Sequence, residues 1–134
     1  MLTVVAGLLT ERGHLLACRR RSDQDHARKW EFPGGKVEAG EDLRDALVRE
    51  LREELLIEAS IGEEFVQYEF SYPGKPPIRL VFYWVENYRG ELNGDCFAET
   101  QWIKPELLAE LDFLEGDGRV VAELADRPSS RDYL

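Results

Sequence analysis

Three glutamates, Glu50, Glu53 and Glu54, stand at i, i+3 and i+4 in the segment Arg49-Glu50-Leu51-Arg52-Glu53-Glu54. On a helix this spacing projects all three carboxylates from one face. Like charges so close repel one another. A hard divalent cation with oxygen ligands, Mg²⁺ or Mn²⁺, is the natural partner to offset that repulsion. The other side of the same helix carries Leu43, Leu47, Leu51 and Leu55, an apolar stripe that would anchor it to a core. By themselves, three glutamates on a helix are most often a solvated face. Here they follow a diglycine, Gly34-Gly35, then Glu41 and Arg49, and the combination is far more specific than any one part.

That combination resembles the Nudix box, Gly-x5-Glu-x7-Arg-Glu-U-x-Glu-Glu-x-Gly-U, with U a bulky aliphatic residue. Gly35, Glu41, Arg49, Glu50, Leu51, Glu53, Glu54 and Ile57 match in register, and Leu56 stands where the pattern ends in Gly. A Gly after a helix usually takes the left-handed conformation. A Leu there would cost on the order of 1 kcal/mol, so a remodelled helix end is expected instead. The string Trp30-Glu31-Phe32-Pro33-Gly34-Gly35-Lys36 is similar to the MutT branch, which hydrolyses nucleoside triphosphates to monophosphate and pyrophosphate. The resemblance implies an α/β/α sandwich with a central mixed sheet. It also implies Mg²⁺ (or Mn²⁺) held by Glu50, Glu53, Glu54 and the carbonyl of Gly35. The favoured substrate is an oxidised purine nucleotide such as 8-oxo-dGTP, in a role that cleanses the nucleotide pool. Rival substrates are CTP, a modified dCTP or a nucleoside diphosphate sugar. A rival of another class is a catalytically silent domain that senses a nucleotide.

The resemblance assigns further roles residue by residue. Arg49 orients the box glutamates, against a plain helix ion pair. Glu41 meets metal-bound water or simply favours the helix dipole. Lys36 reaches phosphate or is an exposed lysine. Arg20, eleven residues before Glu31, is the phosphate-binding arginine or part of a solvated run, Arg19 to Arg21. Phe32 packs under a base. Asp117 takes the place of the residue that reads the base. As a carboxylate it would accept from N1–H and N2–H₂ of a guanine-like edge and suit cytosine less. The alternative is that Asp117 N-caps the last helix, and both roles are compatible. Cys96 stands where relatives often carry a glutamate, with Asp95 and Glu99 nearby. The general base is therefore open between these acids and a box glutamate, Glu53 foremost.

Length and composition agree with that reading. The chain has 134 residues, the size of one domain with its own core, so residues 1–134 are expected to form a single domain. A net charge of −10 argues against a dedicated nucleic-acid or anionic-membrane binder. No leader pattern or membrane-length apolar run is seen, so a cytoplasmic enzyme, monomer or homodimer, is expected. Cys18 and Cys96 read as reduced thiols, with a single disulfide left open. His14 and His26 read as surface residues.

The elements that must position these residues are legible in outline. Residues 3–9 and 14–19 read as a hairpin of strands, 21–30 as a polar loop and 31–40 as a Gly-rich loop opening into the helix, with Asp42 as N-cap. Strands follow at 61–71 and 78–88, joined by the turn-rich 71–77, and another at 97–103. Pro105 opens a short helix, a last helix covers 117–125, and 127–130 read as a frayed tail.

Overall fold

The computed structural model describes residues 1–126; the expected frayed tail lies outside them. Seven strands form one mixed sheet: β1 (Leu2–Glu11), β2 (His14–Arg19), β3 (Trp30–Glu31), β4 (Gly34–Lys36), β5 (Glu58–Phe70), β6 (Ile78–Arg89) and β7 (Glu99–Ile103). Helix α1 (Leu43–Leu55) covers one face and α2 (Gly118–Ala125) the other. This is the expected α/β/α sandwich.

Alternation along the strands divides the core in two. Val5 and Leu9 of β1, Leu16 of β2, and Val81, Tyr83 and Val85 of β6 pack with Leu47, Leu51 and Leu55 of α1. Ala6, Leu8, Leu15, Leu80 and Phe82 face the other way, onto Val120, Val121 and Leu124 of α2. The three α1 leucines are fully buried, and each contributes about 2 kcal/mol of hydrophobic stabilisation. The glutamates on the opposite face of α1 are therefore carried by a well-anchored helix. Leu43 is only partly buried, so the stripe is weakest at its N-terminal end.

The sheet is split where the site lies. β1 and β2 pair only next to their turn, at Thr10↔Leu15 and Glu11↔His14. Beyond that they diverge. β1 pairs with β6 in parallel and with β4, while β2 pairs with β3 and β7. Phe32 and Pro33 bridge the split, and the Pro33 carbonyl accepts from Gly7 N–H at 2.8 Å.

Several expected boundaries move. The Gly-rich loop contains two short strands, β3 and β4, formed because each finds a partner on one side of the split. β5 starts at Glu58 rather than residue 61, and β7 at Glu99 rather than 97. The segment opened by Pro105 is a 3₁₀ helix, Pro105–Glu110. A 3₁₀ turn, Glu115–Asp117, precedes α2, which starts at Gly118.

The end of α1 is the clearest correction. Leu56 does adopt the left-handed conformation, φ 59° and ψ 36°, with its N–H donating to Arg52 O at 3.1 Å. Its side chain is 60 % exposed, so no burial offsets the strain. The carbonyl of Leu55 is satisfied by Asn93 N–H at 2.9 Å, which ties the 91–97 loop to the helix end. Leu56→Gly is expected to stabilise the fold by about 1 kcal/mol, read as a higher urea midpoint with an unchanged slope. A lower midpoint would mean that Leu56 makes a contact worth more than its strain.

Candidate active site

Asp42 starts α1 as expected, its carboxylate accepting from Asp45 N–H at 3.2 Å. About two turns further on, Arg49 is the hub of the acidic face. Its Nε and Nη2 donate to the two carboxylate oxygens of Glu41 at 2.8 and 3.0 Å. Nη1 donates to Glu50 at 2.9 Å and Glu53 at 3.3 Å, and Nη2 also reaches the Lys36 carbonyl at 3.1 Å. Arg49 thus joins the helix entry, the box glutamates and β4. Its hydrogen bonds pull the Glu41 pKa down to about 2, so Glu41 stays ionised as an anchor for Arg49. This favours the orienting reading of Arg49 over a simple surface pair.

The glutamates differ in environment. Glu53 is 57 % exposed on its side chain. Burial pushes the Glu50 pKa up, with Arg49 opposing. Glu54 is the most perturbed. Burial raises it to about 8, the charge of Glu31 adds to the rise, and the Gly34 N–H bond at 2.9 Å opposes it. Glu31 itself is raised by burial and held back by Arg20, whose Nη1 lies 3.1 Å from both of its oxygens. Arg20 also donates from Nε to Asp25 O at 2.8 Å. The arginine expected to meet phosphate therefore already neutralises Glu31.

Glu31 is the residue that sequence reasoning missed. The sequence assigns it no role of its own beyond its place in the 30–36 string and its spacing from Arg20. The eleven-residue offset was itself the signal, because β2 and β3 pair with Cys18 opposite Glu31 and bring Arg20 beside it.

The two glycines are required for different reasons. A Cβ at Gly34 would strike the Val5 carbonyl of the paired strand, and one at Gly35 would occupy the space of the Glu50 carboxylate. Gly34→Ala meets backbone that cannot give way and is expected to cost more than about 2 kcal/mol of stability. Gly35→Ala meets only the end of a flexible side chain. It is expected to leave the melting temperature nearly unchanged while displacing Glu50 and lowering activity. A thermal melt beside a turnover assay separates the two.

Among the described residues, no three His, Cys, Asp or Glu side chains are grouped closely enough to enclose an ion. Glu50 and Glu53 are turned onto Arg49, and Glu54 onto Gly34. The donor set still fits a hard divalent cation. All the donors are oxygens, Gly35 lets a carboxylate lie directly against the backbone, and Glu54 is raised by burial and then by the neighbouring charges of Glu31 and Glu50, an excess of negative charge that a cation would offset.

Beside this face lies a cavity of about 290 Å³ lined by Arg20, Phe32, Gly34, Gly35, Lys36 and Asp117, among others. Lys36 is exposed at its rim. Phe32 is buried, edge-on to Phe82 and 5.1 Å from Phe113, so it is both core and cavity wall. Phe82 is fully buried and Trp84 partly so, both packed in the core on the α2 side of the sheet. The segment carrying Asp117 is drawn in by Trp30, whose N–H donates to Asp112 O and whose carbonyl accepts from Leu114 N–H, both at 2.9 Å.

Asp117 is 7 % exposed and does not cap α2 with its side chain, so the capping reading fails. Burial, with the charge of Glu31, raises its pKa to about 8, against a hydrogen bond from the Phe32 backbone. Burial thus favours the neutral acid over the carboxylate expected from the sequence. At neutral pH the group holds its proton because the ion would lie in a poorly solvated wall.

The loop acids do not gather at the glutamates. Glu99 lies 3.6 Å from Arg19 and accepts from Gln101 at 2.6 Å. Asp95 is exposed, its N–H bound to the Asn93 side chain. Cys96 is an exposed free thiol that feels the charges of Glu54 and Glu31, and Cys18 is a buried free thiol. His14 bonds to the Arg12 carbonyl at 2.9 Å. His26 is exposed, but its ring lies 4.8 Å from that of Tyr72 at the cavity edge.

Residues 1–124 match the NUDIX domain family. The chain is 41 % identical over 106 residues to a CTP pyrophosphohydrolase of Escherichia coli, spanning 79 % of this chain and 78 % of that protein. It is 36 % identical over 125 residues to an 8-oxo-dGTP diphosphatase of Haemophilus influenzae, spanning 92 % and 91 %. Among solved structures, the E. coli ORF135 protein superposes with a TM-score of 0.82 at 36 % identity, over 96 % of this chain and 94 % of that one. A MutT studied in Aliivibrio salmonicida and Vibrio cholerae gives 0.75 at 30 % identity, over 92 % and 96 %.

Proposed function

The chain belongs to the NUDIX domain family of hydrolases that act on phosphoric anhydride bonds, and from that membership we propose that it is a Mg²⁺-dependent nucleoside triphosphate pyrophosphohydrolase. Water and a triphosphate give the nucleoside monophosphate and pyrophosphate. The substrate is a damaged or unwanted nucleotide, 8-oxo-dGTP foremost, and the role is pool sanitation in the cytoplasm. The whole chain acts as one domain, without direct nucleic-acid contact. The observation that carries the reading is the position of the Arg49-centred glutamates beside a cavity that holds both Lys36 and Asp117.

Glu50, Glu53, Glu54 and the carbonyl of Gly35 would hold the metal. When bound, a divalent cation neutralises phosphoryl oxygens and acidifies water. Arg49 keeps the glutamates aligned, with Glu41 pinning Arg49 from the other side. Glu53, the most solvent-facing of the three, takes the proton of the attacking water. Lys36 and Arg20 steady the phosphates, and Arg20 does so while shared with Glu31. Phe32 and Asp117 hold the base.

The proton on Asp117 supports two bases at once. A neutral carboxyl offers one donor and one acceptor. This matches the N7–H and O6 edge of an 8-oxopurine, and equally the N4–H and N3 edge of cytosine. It does not match the N7 and O6 edge of ordinary guanine, which presents two acceptors. A second reading, CTP or a modified dCTP as substrate, therefore follows from the same group. The names of both relatives, one directed at CTP and one at 8-oxo-dGTP, are compatible with that chemistry.

The test is pyrophosphate release with Mg²⁺ across 8-oxo-dGTP, dGTP, CTP, dCTP, ADP-ribose and UDP-glucose. Faster turnover of 8-oxo-dGTP than of dGTP is expected. Preference for CTP would select the second reading. No turnover on any of them would move the protein to a nucleotide-sensing role.

A further inference from the structure

Two tyrosine hydroxyls brace the peptide units on either side of Gly116, immediately before Asp117. Tyr68 Oη donates to the Gly116 carbonyl at 2.7 Å and accepts from Val120 N–H at 3.3 Å. Tyr72 Oη accepts from Gly116 N–H at 3.2 Å. Both come from the far end of β5 and the turn after it, remote in sequence from Asp117. Gly116 has no room to move toward them. A Cβ there would lie 2.9 Å from Tyr72 Oη and 3.3 Å from Leu80 Cδ1.

The brace is itself rigid. Tyr68 is 8 % exposed, its ring is stacked on Phe82 at 5.8 Å, and the Arg119 guanidinium covers it at 4.9 Å. Burial raises the pKa of both hydroxyls, so each stays neutral and Tyr68 remains a donor. The turn has no side-chain cap to fix it, because Asp117 is directed to the Phe32 backbone instead. The two hydroxyls therefore supply the geometry that the helix start lacks. Neither tyrosine approaches the box glutamates by any hydrogen bond or ion pair among the described residues.

We propose that Tyr68 and Tyr72 are positioning residues for base selection, their hydroxyls holding the Gly116 peptide so that the Asp117 carboxyl is fixed in the cavity wall. The inference rests on the reading of Asp117 as the group that meets the base. It predicts a split between binding and chemistry. Loss of a hydroxyl should loosen recognition of the base and leave phosphate chemistry intact.

Tyr72→Phe, Tyr68→Phe and Asp117→Ala are compared by pyrophosphate release from 8-oxo-dGTP, dGTP and CTP, each beside a thermal melt. Each Phe variant is expected to raise KM for the preferred nucleotide about five- to tenfold, the value of one hydrogen bond, with kcat within about twofold. Discrimination against dGTP should fall by a similar factor. Tyr72 is half-buried, so its variant keeps the experiment valid if Tyr68→Phe folds poorly. An equal loss for every nucleotide, or a fall in kcat alone, would overturn the proposal. If Asp117→Ala loses selectivity while both folded Phe variants keep it, only the tyrosine inference falls. If Asp117→Ala itself keeps wild-type selectivity, the base reading falls and takes the tyrosines with it.

Discussion

Glu53→Gln is expected to lower pyrophosphate release by about two to four orders of magnitude, the range for losing a positioned proton acceptor, while barely changing stability. The two halves of this expectation have separate causes. Glu53 sits on the solvent side of α1, 57 % exposed, and its contact with Arg49 is an exposed i, i+4 pair at 3.3 Å. Such pairs are worth little, so the substitution should stay within about 0.5 kcal/mol of the wild type. Arg49 keeps its bonds to Glu41, Glu50 and the Lys36 carbonyl, so the helix face remains assembled. The glutamine is nearly isosteric but carries no charge and takes no proton at neutral pH. A steady-state assay and a urea titration on the same preparation check both halves. Activity within tenfold of the wild type would sink Glu53 as the base and shift the role to Glu31, Glu54 or a loop acid. Glu54→Gln gives the useful contrast. Its carboxylate accepts from Gly34 N–H inside a crowded acidic wall, so that variant disturbs the strand and the helix together.

What the sequence makes legible here are features set by period and local spacing. The glutamate register on α1, the leucine stripe behind it, the β1–β2 hairpin and the paired β5 and β6 all follow from patterns within one element. The rest depends on contacts remote in sequence. β3 and β4 are two and three residues long, too short to announce themselves, and exist because β1 and β2 part and leave each an open edge. Leu56 takes the conformation that its own chemistry disfavours because the chain must reverse there to enter β5. Glu31 gains its place from Arg20 across a strand pair, and no pattern in its immediate neighbours marks it. The proton on Asp117 is the furthest from view, since it follows from the burial of a residue that precedes α2 and lies against the Phe32 backbone, remote in sequence.

That proton gives the second large effect, a base preference that changes with pH. Below about 8, Asp117 in the folded protein is the neutral acid, and above it the carboxylate. The acid pairs with one donor and one acceptor, as on 8-oxoguanine or cytosine, whereas the carboxylate pairs with two donors, as on the N1–H and N2–H₂ edge of guanine. Discrimination of 8-oxo-dGTP over dGTP, taken as the ratio of kcat/KM values, is therefore expected to fall as pH rises through about 8, by about ten- to a hundredfold for one mismatched buried hydrogen bond. Asp117→Asn keeps one donor and one acceptor at every pH, so its ratio should stay high and flat. Titrations of substrate and metal are common to both proteins, and the difference between the two profiles isolates Asp117. Stability provides an independent check with a definite sign. The folded pKa lies above the ordinary value of 3.8, so between 3.8 and about 8 the folded chain holds a proton that the unfolded chain has released. Stability from this group is complete below that window and declines as pH rises through it. Asp117→Asn should remove this decline and be the more stable protein at pH 7 and above. Parallel pH profiles for the two proteins, in selectivity and in stability, would mean that Asp117 is already ionised in the fold, and the two-donor reading of the guanine edge would replace the one argued here.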